Sequence, residues 1–228
     1  MGGFAYSDEI VARFPTIRSG VLHASGLANG PTPKLLRDAY RAEQLATTTR
    51  IGETPLSEIP SIAAWRRVFS LSGVKPTQYR NAAEALLRRL TKRGDVPSIN
   101  LLVDLANLVS IRYALPVAVF DQREVTGGTE VRFATGSEQF TDLGGDGGAV
   151  HPDEGEVIFV DDVGLVSARR WCWRQSAQSA AGPETTEAII TIESHHEGAA
   201  EDVRAGVADL VQLLSASNPR ATVAISEP

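Results

Sequence analysis

Three sets of side chains in this sequence have the types and spacing to do chemistry. The first is Arg169-Arg170-Trp171-Cys172-Trp173-Arg174-Gln175-Ser176. Two indoles, three guanidinium groups and an amide make a stacking and hydrogen-bonding surface suited to an amino acid, a nucleobase or an RNA 3′ end. Read as a strand end, alternation puts Trp171 and Trp173 on one face and Cys172 and Arg174 on the other. The same residues would also serve as core tryptophans with arginine stems reaching water. The second is Glu193, which ends the apolar run Ile189-Ile190-Thr191-Ile192. A carboxylate finishing a buried strand is costly unless it has a partner, so Glu193 either lines a polar site or sits at an exposed strand end. The third is Asp104, Asn107 and Ser110, three residues apart, which would form a polar stripe along one helix.

Other chemistries lack their residues. There is no phosphate-binding glycine loop ending in Gly-Lys-Ser/Thr and no Gly-x-Gly-x-x-Gly fingerprint. Gly144-Gly145-Asp146-Gly147-Gly148 is glycine-rich, but no apolar strand leads into it and no helix follows. A nucleophile elbow is absent. His195 and His196 follow a strand, where adjacent residues point to opposite faces, and no cysteine or carboxylate cluster supports them at ligand spacing. Neither a metal nor another cofactor is expected.

These side chains need elements to position them, above all Pro97 to Asp121. Ser98 is the expected N-cap, and Ile99, Leu102, Leu105 (or Ala106), Val109 and Tyr113 recur at helical spacing. Leu115-Pro116 ends that helix, because the residue before proline is pushed from the α region. Val117–Phe120 then reads as a strand closing at Asp121. Upstream, a short helix over 7–14 and a strand over 17–24 precede the break at Asn29-Gly30-Pro31. Helices follow over 34–49, 59–71 and 77–91, the last with Arg88, Arg89, Lys92 and Arg93 at its C-terminal end. Strands are expected over 130–134, 156–160, 165–171 and 188–193, with a mobile loop at 143–155. A helix over 202–215 and a strand over 222–225 complete an α+β chain with a mixed, mostly antiparallel sheet.

A chain of 228 residues buries roughly 70–75% of its unfolded surface, enough for one sizeable domain spanning 1–228. No apolar run approaches the ~20 residues of a membrane span. The first residues carry no secretory-type pattern and the single Cys172 fits a reducing compartment, so a cytoplasmic location is expected. Net charge is −6, but it is unevenly spread. Arg66 to Arg93 carries eight cations against only Glu84, whereas acids concentrate over 138–156 and 184–209. That asymmetry suits either a face that attracts a phosphate backbone or an ordinary solvated helix face.

Taken together, the elements resemble the editing domain of the phenylalanyl-tRNA synthetase β subunit, the B3/B4 domain, and more closely its free-standing relatives. The residues that carry this are Tyr79-Arg80-Asn81-Ala82-Ala83-Glu84-Ala85-Leu86-Leu87-Arg88-Arg89, Ile99-Asn100 with Val103-Asp104 and Asn107, Leu115-Pro116 and Phe120-Asp121. Gly155-Glu156-Val157 with Asp161-Asp162, Arg170 to Gln175, and Thr185-Thr186 leading to Glu193 continue the series. It covers roughly 65–193, and residues 1–64 form an N-terminal extension to it. The Trp-x-Trp-Arg-Gln segment looks like the mark of the stand-alone branch.

The resemblance implies hydrolysis, in trans, of the ester between a wrong amino acid and a tRNA 3′ end. By position, Asn107 would line the amino-acid pocket with Asp104 and Ala118. Glu193 would read the far end of the side chain, and Trp171, Trp173, Arg174 and Gln175 would form the opposite wall. Arg80, Arg88, Arg89 and Lys92 would contact the tRNA backbone. Some stand-alone members resemble deacylases for tRNA-Arg carrying canavanine, whose guanidinium-like group would want Glu193 or Asp104 and a tryptophan to stack on. The pattern departs from the synthetase at two places: a pocket histidine is Ala118, and the threonine before the asparagine is Ala106. His195 is then the candidate replacement. An aminoacyl ester is already activated, so a positioned water, backbone donors for the oxyanion and the neighbouring ribose hydroxyl would suffice without a side-chain base. The alternative is a non-catalytic module that holds tRNA or an amino acid beside a synthetase.

Overall fold

Side chains cap the starts of three helices, at Ser7, Asn81 and Asn100, and left-handed residues close two, at Gly94 and Ala114. The computed structural model describes residues 2–145 and 147–226. In chain order these form β1 (Phe4–Tyr6), α1 (Asp8–Arg13), β2 (Arg18–Ser25), α2 (Lys34–Ile51), α3 (Pro60–Leu71), α4 (Ala82–Arg93), α5 (Leu101–Tyr113) and β3 (Val117–Asp121). Then come β4 (Thr129–Phe133), β5 (Phe140–Thr141), β6 (Ala149–Val150), β7 (Val157–Asp161), β8 (Val166–Arg169), β9 (Arg174–Gln175), β10 (Glu187–Ser194), α6 (Ala199–Ser217) and β11 (Thr222–Ser226). Asn81 caps α4 through its Oδ1, which accepts from Glu84 N at 2.9 Å. That cap starts the helix five residues later than the alanine- and leucine-rich pattern predicts, and leaves Tyr79 and Arg80 in the preceding loop. Asn100, not Ser98, caps α5 by accepting from Val103 N at 3.0 Å, and Ala114 closes it at φ 55°.

The strands form two main sheets. One runs β11-β2-β10-β3, antiparallel throughout, and the other β1-β4-β7-β8-β9, antiparallel except for the β1–β4 pair. β10 sits centrally, so each of its faces is buried, and its alternation separates the two larger of the three cores among the described residues. Ala188, Ile190 and Ile192 point toward α5 and α6 and join the larger core with Leu22, Leu105 and Leu210. On the opposite face, Phe120 of β3 meets Val131, Val157, Phe159 and Ala168 of the second sheet, with Trp65 and Phe69 of α3 closing one end. The fold is α+β with mostly antiparallel sheets, as expected. Within the 143–155 loop, β6 pairs with β5.

The sheet and α6 approach closely at Gly20. A Cβ there would fall 2.4 Å from Val207 Cγ2. Gly20→Ala therefore overpacks the interface and is expected to cost about 1–3 kcal/mol, read as a lower urea midpoint at unchanged slope. An unchanged midpoint would mean that α6 yields without penalty.

Candidate functional site

The inter-sheet face of β10 carries Thr191 and Glu193 two residues apart, and β3 places Ala118 opposite Thr191. These three, with Phe120, form one wall of a cavity whose far wall is Phe159 and Ala168 of the second sheet. Trp171 to Gln175 closes one side and Ala82, the first residue of α4, reaches its edge. The cavity is small, about 80 Å³, and opens to solvent at its mouth. The lining is mainly aromatic and aliphatic, with polar groups at Thr191, Glu193, Arg174, Gln175 and the Cys172 thiol.

Glu193 is 2% exposed. Tyr6 donates its hydroxyl to Glu193 Oε1 at 2.6 Å and Trp171 donates Nε1–H to the same oxygen at 2.9 Å. Both donors use Oε1, so Oε2 is the oxygen left for the cavity. No arginine, lysine or histidine pairs with this carboxyl among the described residues. Burial therefore wins over the two hydrogen bonds, and its pKa is pushed up to about 7. The Tyr6 hydroxyl and the Cys172 thiol are both held well above their usual ranges, by burial first and then by the Glu193 charge. The cavity floor is thus one carboxyl whose pKa burial raises toward neutral.

Trp171 reaches Glu193 because the chain turns sharply there. The strand expected over 165–171 stops at Arg169. Arg170 and Trp171 follow at φ 45° and 60°, a conformation that bulky residues adopt only under constraint. Alternation thus does not hold: Trp171 turns inward and is 1% exposed, whereas Trp173 stands at the mouth against Tyr79, with ring centres 4.8 Å apart. The constraint is Glu156. Its carboxylate takes both Arg169 Nε and Nη2 at 2.8 Å and the Arg170 backbone N–H at 2.9 Å. Trp171 N–H donates to Val157 O at 2.7 Å, and Ala82 N–H to Cys172 O at 2.8 Å.

Outside the mouth lies a basic groove walled by Arg80, Arg88, Arg89, Lys92 and Arg93, and by the same Trp173 and Arg174 that line the cavity. Glu84, buried at the base of α4, anchors Arg66 at 2.7 Å and Arg80 at 3.7 Å. Arg89 faces Asp95 at 3.5 Å. Arg88, Lys92 and Arg93 are exposed and have no acidic partner among the described residues, so their charge is available to solvent.

The family model described as "B3/4 domain" matches residues 64–204. The chain belongs to the B3/4 domain family. It is also similar to phenylalanine–tRNA ligase β subunits. That of Bradyrhizobium diazoefficiens is 36% identical over 99 residues, covering 43% of this chain and 12% of the relative. That of Nitrosococcus oceani is 30% identical over 116 residues, 50% of this chain and 14% of the relative. That of Shewanella oneidensis is 29% identical over 89 residues, 39% and 11%. This B3/4 chain therefore corresponds to only a small part of those proteins. An N-terminal fragment of the phenylalanyl-tRNA synthetase β subunit from Pyrococcus horikoshii is similar in structure with a TM-score of 0.46 and 10% identity, over 97% of this chain and 50% of that one.

In this B3/4 structure Glu193, Trp171, Trp173, Arg174, Gln175 and Ala118 meet at one cavity, while Arg80, Arg88, Arg89 and Lys92 meet in the groove beside it. Asp104 and Asn107 do not join them. Asp104 is buried away from the cavity lining, where it accepts from Ile99 N–H at 2.8 Å and from the Thr32 and Ser98 hydroxyls. Those three donors saturate it as a clasp for the loop before the helix. Asn107 lies beside the Tyr40 hydroxyl of α2, and Ser110 donates to Leu115 O at 2.6 Å. The polar stripe thus faces α2 and the helix end, because α5 is buried nearly all round and its polar residues are satisfied within the helical layer. Gln175 is tied to Val119 O and Ser179 O, both at 2.7 Å, and braces the wall. His195 does not replace the missing histidine. It packs behind Trp171 against Trp65, with ring centres 4.6 Å apart from the latter, and burial holds its pKa down to about 3. Among the described residues no group of three metal-ligating side chains gathers, and no helix is long and apolar enough to cross a membrane.

Three participants were not anticipated from sequence. Thr191 was legible in principle, since it stands two residues before Glu193 on one strand. Tyr6 and Glu156 act only through tertiary contact, and their neighbours in sequence carry no sign of it.

Proposed function

We propose that this chain is an aminoacyl-tRNA deacylase that acts in trans, with the aminoacyl side chain entering the Glu193 cavity and the RNA backbone lying in the α4 groove. One observation carries the reading: an apolar cavity with a single carboxyl at its floor shares its rim, Trp173 and Arg174, with a groove of exposed cations. That juxtaposition suits a ligand that is a small side chain at one end and a polyanion at the other. Water adds to the ester carbonyl, the carbon–oxygen bond to the ribose breaks, and the free amino acid and the ribose hydroxyl leave. Among the described residues no histidine lines the cavity, so the chemistry falls to positioning, to backbone donors and to the neighbouring ribose hydroxyl. Glu193 Oε2 facing aromatic walls favours a side chain that donates hydrogen bonds or carries a cation, canavanine on tRNA-Arg being the leading candidate.

The test is a panel of mischarged tRNAs, canavanyl-tRNA-Arg included, incubated with the purified chain. Release of one noncognate amino acid is expected, and Arg88→Glu with Lys92→Glu should weaken it and flatten its dependence on salt. If every ester survives while tRNA still binds tightly, the chain is instead a non-catalytic holder. Ala118, at the position of the synthetase histidine, is the feature that favours that second reading.

A further inference from the structure

At the shared rim, aromatic and guanidinium planes alternate. The Arg170 guanidinium carbon lies 4.1 Å from the centre of the Tyr79 ring and 5.1 Å from that of Trp173. On Trp173 rests a second guanidinium, that of Arg174, at 4.9 Å. The inner members are pinned, Arg170 by Asp153 at 3.0 Å and the intervening backbone by the Ala82–Cys172 hydrogen bond. Arg174 is the open end. Its side chain is 45% exposed and its Nη1 pairs with Asp142.

That ion pair has two consequences. It holds the guanidinium by its edge, which leaves the planar face free to stack. It also offsets the Arg174 charge, so this position attracts a phosphate less than the unpaired Arg88, Lys92 and Arg93 nearby do. A flat, neutral π-system fits the open end better than an anion does. Resting on the RNA-ester reading above, we propose that the exposed Arg174 plane, backed by Trp173, receives the terminal nucleobase of an RNA 3′ end. Stacking there would hold the last ribose at the cavity mouth whatever side chain it carries, since every base has a π-face.

Binding of uncharged RNA separates this from catalysis. The probes are an RNA hairpin with a single-stranded 3′ overhang and the same hairpin lacking its terminal base, each titrated against the full chain by fluorescence anisotropy. The chain is expected to bind the base-bearing RNA about tenfold tighter. Arg174→Ala and Arg174→Lys should both abolish that preference, because lysine keeps the charge but not the plane, whereas Arg88→Glu should weaken both RNAs and leave the preference intact. Arg174 is exposed, so its variants test the contact and not the fold. A preference retained by Arg174→Lys, or equal and tight binding of both hairpins by the unaltered chain, would overturn the stacking assignment while leaving RNA binding in place. Binding of neither hairpin would remove the RNA reading itself and this inference with it.

Discussion

Trp171→Ala is expected to lower the stability of the chain by about 3–5 kcal/mol, the cost of emptying a large buried aromatic site. The effect sits at the top of that range for a physical reason. Trp171 packs against Trp65 at 5.3 Å and Phe14 at 5.2 Å between ring centres, and its indole N–H is one of the two donors to Glu193 among the described residues. Truncation opens a void and leaves the carboxyl with Tyr6 alone. The loss would appear as a lower urea midpoint, and it should be greater at pH 8 than at pH 5, where the protonated carboxyl needs less support. Trp171→Phe restores the ring but not the donor, so it is expected to recover most of the pH 5 stability and less of that at pH 8. A Trp171→Ala chain as stable as the parent at both pH values would show that neither its packing nor its hydrogen bond to Glu193 supports the fold.

Glu193→Gln is expected to stabilise the chain at alkaline pH while removing its preference among substrates. The native carboxyl titrates at about 7 against an ordinary value of 4.5. The folded state therefore holds a proton that the unfolded state releases between those values. Raising the pH through that window favours unfolding, so stability falls from about pH 4.5 and the loss is complete above about pH 7, on the order of 3 kcal/mol. Glutamine offers Tyr6 and Trp171 the same acceptor without a charge. Its variant should match the parent near pH 4 and exceed it at pH 8.5, measured by urea denaturation across the range. In the functional assay the sign reverses. A cationic side chain binds the ionised carboxylate, so turnover of such an ester should rise through pH 7 in the parent. In the variant it should fall by ~10–100-fold in kcat/KM, the worth of one hydrogen bond to a charged group. Parallel pH–stability curves for parent and variant would place the Glu193 titration outside this window.

Much of this architecture was written in local patterns. The run Val117–Phe120 before Asp121, the Ile189–Ile192 run before Glu193 and the helices after residues 34 and 59 follow from apolar spacing and from proline and glycine punctuation, and the strands and helices form within two or three residues of those limits. Local patterns also gave the charge asymmetry of α4, since a run of arginines on a helix face stays outside whatever the fold. The resemblance in sequence to B3/B4 domains named Glu193, Trp171 and Trp173 together, and the fold brings them to one cavity.

Tertiary structure decided what faces what. Period alone could not say which side of α5 looks toward a pocket, because a helix buried almost all round has no distinguished polar face; Asp104 and Asn107 went to α2 and its loop. Nor could alternation survive the corner at Arg170 and Trp171, which exists because a buried Glu156, just before a neighbouring strand, grips Arg169 and the backbone beside it. Tyr6, 187 residues from its partner, shows the same thing. The sequence by itself determined the elements, the carboxylate and the cations. Packing two sheets face to face determined that the carboxylate would be dry, without a cationic partner among the described residues, and open to a single cavity, and desolvation in that setting is what gives it a proton to exchange near neutral pH.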